Sequence, residues 1–284
     1  PYVISNFDFN DRFKMLAGAR FDFIDFEDTV TSESRSDSDI SPMLGLTFGA
    51  SDTVNIYASA SEAFAPPSGR VAGEPVPEES LQLEIGTKLG RAGGKVQTTV
   101  ALYQLERENI GIVDQTGFTQ QAGDQRSRGV EIEFAAEPRP RLRTFVSYAY
   151  NDAELTRFTQ CVGGAVDPMT GACAFGTADL SGNTASFAPE HMANAWVSQR
   201  FGNGWGVGGG LRYVDSQFIA EDNQAEIDAY LLLDGAVYYT LDRWELSLNF
   251  RNITDEQYEI RGFGSGSVIP ANPFSVFAGV DYRF

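Results

Sequence analysis

The sequence predicts an all-β chain folded as an antiparallel transmembrane β-barrel, and three observations carry that prediction. Apolar and polar residues alternate with period two from one end of the chain to the other. The connections between alternating stretches are short and long in turn. Mean hydropathy is −0.22, and the sequence lacks the run of about 18 apolar residues that a membrane helix needs. Averaged hydropathy does not see a barrel, because only every second residue of a barrel strand meets lipid.

The 284 residues are 42% apolar and 12% aromatic, which is too apolar for a disordered chain. A formal net charge of −18 argues against nucleic acid as a partner. One His and two Cys are too few for a zinc centre or a Cys/His catalytic cluster. The chain begins at Pro1 with no visible signal peptide, so the start is read as processed or cut from a longer protein.

Taken in order, Phe13, Met15, Ala17, Ala19, Phe21 and Phe23 oppose Arg12, Lys14, Gly18, Arg20 and Asp22. In Glu79–Gly90, Leu81, Leu83, Ile85 and Leu89 oppose Ser80, Gln82, Glu84 and Lys88. Between Lys95 and Arg107 both faces carry apolar residues, and the outward side stays open. Trp205, Val207, Gly209, Leu211 and Tyr213 share a face that begins and ends in an aromatic, against Gly206, Gly208, Gly210 and Arg212. At about 3.3 Å per residue and a tilt of roughly 40°, that stretch spans about 20 Å, close to the roughly 25 Å apolar band of a barrel. Trp244, Leu246, Leu248 and Phe250 form the next apolar face, and Phe274, Val276, Ala278, Val280, Tyr282 and Phe284 the last. Helical spacing would mix these sets.

Short links are read at Asn10-Asp11, Ser51-Asp52, Arg91–Gly94, Glu137–Pro140, Gly202–Gly204 and Leu241-Asp242. Longer ones are read near 29–39, 65–78, 108–124, 157–187, 220–225 and 256–273. The pieces amount to about 13 strands, many longer than the roughly 5–6 residues usual in soluble sheets. A soluble sandwich or propeller would need shorter, more evenly spaced strands.

Several segments carry more than a period. They are Tyr57-Ala58-Ser59-Ala60-Ser61-Glu62-Ala63-Phe64-Ala65-Pro66-Pro67-Ser68-Gly69, Pro77-Glu78-Glu79-Ser80, Glu84-Ile85-Gly86-Thr87-Lys88 and Ser127-Arg128-Gly129-Val130-Glu131-Ile132-Glu133. Further on come Pro189-Glu190-His191, Gly208-Gly209-Gly210-Leu211-Arg212-Tyr213-Val214 and Asn249-Phe250-Arg251-Asn252-Ile253-Thr254-Asp255-Glu256-Gln257-Tyr258, before the terminal Tyr282-Arg283-Phe284. In this order they resemble the C-terminal barrel half of the TonB-dependent receptors, the siderophore-receptor group in particular. The resemblance implies that residues 1–284 are the C-terminal portion of a barrel of about 22 strands closed around a plug, with plug and energy-coupling box outside this chain. It also implies an outer-membrane receptor, not an enzyme, that imports a ferric siderophore with TonB-supplied energy and has no intrinsic cofactor. Its partners would be the outer membrane, lipopolysaccharide and, through an N-terminal part, the TonB complex. Carbohydrate, haem or cobalamin are alternative ligands, and a passive porin is the rival of the same architecture. The terminal strand ending in Phe284 resembles the signal read by the barrel-assembly machinery.

Siderophore complexes are often anionic and aromatic, so ligand contacts are expected from loop-side Phe and Arg side chains. The candidates are Phe64, Arg70, Phe118, Arg126, Phe218, Arg261 and Phe263, each also readable as an ordinary loop or girdle residue. Cys161 and Cys173 share the longest loop, and maturation in an oxidising compartment makes them a disulfide. The acidic run Asp25, Glu27, Asp28, Glu33, Asp37 and Asp39 reads as a divalent-cation bridge to lipopolysaccharide or as a solvated loop; it has no EF-hand pattern. His191 has no partners for a triad. Alternation places Glu62, Glu84, Glu131, Glu133 and Arg212 on the lumen wall.

Overall fold

The computed structural model describes residues 1–27, 34–66, 76–91, 93–113, 119–164, 166–167, 169–263 and 266–284. The first half is made of β1 (Tyr2–Asp8), β2 (Phe13–Glu27), β3 (Ser34–Ser51), β4 (Val54–Ala65), β5 (Glu78–Leu89) and β6 (Val96–Val113). It continues with β7 (Thr119–Arg139), β8 (Leu142–Cys161), the short β9 (Thr177–Asp179), β10 (His191–Arg200) and β11 (Trp205–Val214). Then come β12 (Gln217–Phe218), β13 (Glu226–Ile227), β14 (Tyr230–Leu241), β15 (Trp244–Arg251), β16 (Glu259–Phe263), β17 (Ser267–Pro270) and β18 (Ser275–Tyr282). Among the described residues no helix is long and apolar enough to cross a membrane.

One antiparallel sheet holds the chain together, in the order β1-β2-β3-β4-β5-β6-β7-β8-β10-β11-β14-β15-β18. Each strand of this order pairs with the next, and five short strands of the long loops lie off it. β9 folds back on β8, while β12-β13 and β16-β17 are separate hairpins. This is the meander expected of a barrel wall. Strands reach further into the predicted loops than apolar alternation implied: β3 begins at Ser34, β6 runs to Val113, and β8 runs to Cys161. Beyond the lipid both faces are wet, so ladder hydrogen bonds continue while the apolar period that made strands visible stops. At the other end the links read at Asn10-Asp11, Arg91–Gly94 and Gly202–Gly204 fall between β1 and β2, β5 and β6, and β10 and β11, whereas the other three sit one or two residues later than read. Asp52-Thr53, Pro140-Arg141 and Asp242-Arg243 make the links, with Arg141 and Asp242 at positive φ, 66° and 51°.

Registers separate the two faces. Trp205 pairs with Tyr239, Tyr239 with Leu246, and Leu246 with Val280, giving a continuous apolar row on the outer face. Leu246, Leu248 and Val280 are exposed, as side chains facing lipid must be when lipid is their solvent. Ring pairs gather at the short-turn rim: Phe9–Phe13 at 5.5 Å, Trp205–Tyr239 at 4.8 Å and Trp244–Tyr282 at 4.7 Å. They form the aromatic girdle of one membrane interface. The side left open between Lys95 and Arg107 is now assigned. Val100 and Leu102 pair with Ile132 and Val130 on the outer face, and Ala101 and Tyr103 face inward with Glu131 and Gly129.

The inner face carries the polar rows. Thr99 pairs with Glu133, Glu133 with Ser147, Ser147 with Asn194, and Asn194 with Arg212. Glu84 lies on the same face, where Tyr57 donates to it at 2.6 Å. Glu62 does not: it pairs with Leu81, and Leu81 with Glu106, on the outer face past the lipid band. The luminal expectation for Glu62 is therefore corrected. Ala58, Ser59, Ala60 and Ser61 precede it, and such small residues give no apolar phase from which to count.

Glycines on the inner wall make room for rings. Trp196 lies across Gly208 and Gly210, where an added Cβ would come within 2.7 and 2.5 Å of its ring. Tyr57 covers Gly86 in the same way, and Tyr103 covers Gly129. The glycine face of β11 is the seat of the Trp196 indole.

Candidate functional site

At the loop end the inner wall acquires an apolar core that alternation did not forecast. Arg107 pairs with Gln125 and Gln125 with Leu155; past a bulge in each ladder, Ile110 pairs with Gly123 and Gly123 with Phe158. Each bulge inserts a residue and turns the strand, so Leu155 and Phe158 both point inward. They are 2% and 1% exposed and pack with Ala122, Ala153 and Ala185. The returning segment 180–187 lies over them, with Leu180 N–H donating to the Phe158 carbonyl at 2.8 Å and Ala185 N–H to that of Ala153 at 3.0 Å.

Two other loops lock onto this segment. Phe187 N–H donates to the Phe218 carbonyl at 2.8 Å. The Asn223 side chain accepts from Thr184 N–H and donates to Thr184 carbonyl, both at 2.9 Å. Ser186 hydroxyl donates to Glu221 at 2.7 Å, and the Arg261 guanidinium lies over the Phe187 ring, 5.7 Å from its centroid. Together these loops enclose a cavity of about 390 Å³ lined by Arg107, Ile110, Gln125, Leu155, Phe158, Phe187, Ile219, Glu221 and Arg261, among others. Apolar side chains and the converging polar groups of Arg107, Gln125, Glu221 and Arg261 together line it, and a concave site where a few polar groups converge can orient a small molecule. A larger hollow, about 930 Å³, lies at the short-turn rim among Arg143, Arg200, Arg283 and Glu245. Arg200 and Arg283 reach Glu245 there at 2.7 and 3.4 Å. The loop-end cavity is the candidate site because three chain segments converge to build it.

Of the residues nominated from sequence, Arg261 lines this cavity and Phe218 supports it through its backbone. Arg126 is on the opposite face from Gln125, ion-paired with Glu154 at 2.5 Å. Phe64 is 7% exposed at the end of β4, its carbonyl accepting from Arg20. Arg70 and Phe118 lie outside the described residues, as does the Phe263 side chain. Arg107, Gln125, Phe187, Ile219 and Glu221 were missed. The signal that points to them is an apolar set, Leu155 and Phe158, placed where a solvated loop should have none.

Cys161 and Cys173 form a disulfide, closing a loop in which the Asp167 carboxylate accepts from Thr170 and Met169 N–H at 3.0 and 2.9 Å. Those amides, Thr170 foremost, hold the Asp167 carboxyl below its ordinary range. The acidic run does not assemble. Asp25 and Glu27 pair with Ser36 and Ser34 on the outer face, while Asp37 and Asp39 face inward opposite Ile24 and Asp22; Asp28 and Glu33 lie outside the described residues. Among the described residues no group of three or more His, Cys, Asp or Glu could hold a metal ion. His191 sits between Tyr148 and Tyr150 rings, with Tyr148 hydroxyl 2.9 Å from its Nδ1.

An antiparallel meander with a lipid-facing apolar side, an aromatic girdle, a polar inner wall and loops folded into the mouth defines an outer-membrane β-barrel wall. The chain belongs to the TonB dependent receptor-like, beta-barrel family, whose model matches residues 1–253. Its relatives include the metal-pseudopaline receptor CntO of Pseudomonas aeruginosa (strain UCBPP-PA14), 27% identical over 94% of this chain and 38% of that protein. Another is the ferrichrome outer membrane transporter/phage receptor of Escherichia coli (strain K12), 28% identical over 96% of this chain and 36% of that protein. Among solved structures, the siderophore receptor PiuA from Acinetobacter baumannii superposes with a TM-score of 0.80 at 21% identity, over all of this chain and 42% of that one. The chain thus spans well under half the length of the relatives it matches. The family is one of outer-membrane receptors and transporters, not enzymes, and this chain is an outer-membrane protein.

Proposed function

We propose that the chain is the ligand-receiving wall of a receptor that imports a ferric siderophore across the outer membrane with energy supplied through TonB. The observation that carries this reading is the inward-facing cavity at the loop end, where Arg107, Gln125 and Arg261 meet an apolar floor. The names of its relatives, a metal-pseudopaline receptor and a ferrichrome transporter, support a metal chelate as cargo. Residues 1–284 then serve as the C-terminal portion of a larger barrel. Among the described residues β1 pairs only with β2 and β18 only with β15. Each unpaired backbone group in lipid costs several kcal/mol, so both edges call for strands from the rest of the receptor. Contact with TonB belongs to that remainder, and lipopolysaccharide surrounds the wall.

The test is uptake of radioactive iron by iron-starved cells carrying or lacking the whole receptor gene. Uptake that needs the receptor, saturates with chelate and stops when the proton motive force is collapsed supports the proposal. Uptake that is unsaturable and indifferent to the proton motive force makes the barrel a passive pore.

A further inference from the structure

We infer that the cavity at the loop end selects a chelate of zero or positive net charge and rejects a polyanionic one. The inference rests on the receptor reading above and adds the charge class of its cargo.

The −18 of the chain is not spread evenly. In the loop-side halves of the strands and in the described loops, carboxylates outnumber cationic side chains several-fold, whereas arginine and lysine prevail at the short-turn rim. By composition, the residues outside the described ones carry Arg70 against Asp28, Glu33, Glu74 and Asp114. The few loop-side arginines among the described residues are engaged. Arg107, which lines the cavity, meets Glu78 at 2.6 Å; Arg157 meets Asp124 at 2.8 Å; Arg126 meets Glu154 at 2.5 Å. Arg20, Arg35 and Arg128 each reach a carboxylate as well. Arg261 stacks on Phe187, and the neighbouring Glu221 takes its hydrogen bond from a neutral hydroxyl, that of Ser186.

A guanidinium already bonded to a carboxylate has most of its field cancelled. An anion entering the cavity must break the Arg107–Glu78 pair, leaving Glu78 half-buried and unpaired, or accept a site of about zero local charge inside a negative surround. A neutral or cationic chelate needs neither and is drawn in by the surround. Fields of this kind change local ligand concentration by about 10–1000-fold. Of the arginines nominated from sequence to meet an anionic cargo, Arg126 is paired with Glu154 and Arg261 lies over Phe187.

The test uses the whole receptor in lipid nanodiscs and ferric complexes of one linear trihydroxamate, its free amine left as ammonium, acetylated, or succinylated. The set carries net charges of plus one, zero and minus one on one scaffold. A ferric tricatecholate of charge minus three is the fourth probe. The first two are expected to bind at least about tenfold tighter than either anion, and added salt should weaken the cation while strengthening the anions. The double substitution Glu78→Gln with Glu221→Gln should move the ratio toward the anions by about tenfold. Tightest binding of the tricatecholate, or a ratio unmoved by salt and by the double substitution, overturns the inference while leaving the receptor reading intact. Binding of none of the four overturns the receptor reading and this inference with it.

Discussion

If the β11 glycines are there to seat an indole, Gly208→Ala tests it within one contact. The new Cβ would stand 2.7 Å from Trp196 Cζ2 and 3.2 Å from Cε2, with Ser198 Cβ at an ordinary 3.5 Å. No backbone atom is among these neighbours, so relief must come from the ring. Overpacking of this kind costs about 1–3 kcal/mol. Alanine in place of a strand glycine otherwise gains roughly 0.5–1 kcal/mol in backbone entropy. Gly208→Ala should therefore destabilise by about 1–2 kcal/mol in the native background. With Trp196→Ala already present the same change should be neutral or stabilising by up to about 1 kcal/mol. The coupling between the two sites is then about 2 kcal/mol, well outside the roughly 0.3–0.5 kcal/mol within which independent sites add. Reversible urea unfolding of the whole receptor in lipid bilayers measures all four corners of the cycle. Equal destabilisation by Gly208→Ala in both backgrounds would refute the seating argument.

The penultimate motif offers a second test. Asn252 is 2% exposed at φ 52°, donating to Glu256 carbonyl at 2.9 Å and accepting from Glu256 N–H at 2.8 Å. Asn252→Ala should lose about 2–4 kcal/mol in the same unfolding assay, and Asn252→Gly should regain about 1 kcal/mol by accepting the positive φ. Replacing Cys161 and Cys173 together by serine removes a closure worth about 3 kcal/mol in the chain-entropy model. Hydrogen exchange should rise in residues 162–176 while the exchange of β14 and β15 stays unchanged. Because the Asp167 carboxyl is held below its ordinary range, its grip on the Thr170 and Met169 amides is complete above the unfolded pKa. The grip is lost only as pH falls through the lowered value. Amide protection there should survive the ordinary carboxylate range, and Asp167→Asn should abolish that pH dependence.

The lipid-facing half of the fold was legible because apolar residues recur at every second position: Trp244, Leu246, Leu248 and Phe250 on β15 pair with Tyr282, Val280, Ala278 and Val276 on β18. The inner wall was less so. Tyr103 is apolar enough to blur the phase between Lys95 and Arg107, yet it faces inward over Gly129, a contact between strands that one strand's composition does not reveal. The candidate site was legible only in part, for a geometric reason. Bulges near Asn109 and between Asp124 and Gln125 shift the register, so period-two counting loses its phase where the cavity begins. Residue type put weight on Arg126, whereas its neighbour Gln125 is the residue that faces the cavity. Charge type alone did not distinguish an arginine awaiting a ligand from one bound to Glu154.

The cavity's role is tested most directly by fluorescence quenching in the whole receptor. A fluorophore is attached through cysteine at Ser186, beside the cavity, or at Asn203, in the turn between β10 and β11 at the opposite rim. Ferric chelates quench nearby dyes, so saturable quenching is expected at position 186, at the same concentrations that saturate uptake, with little change at 203. Quenching that saturates at 203 and not at 186 would place the ligand at the wrong end of the wall and contradict the assignment of this cavity.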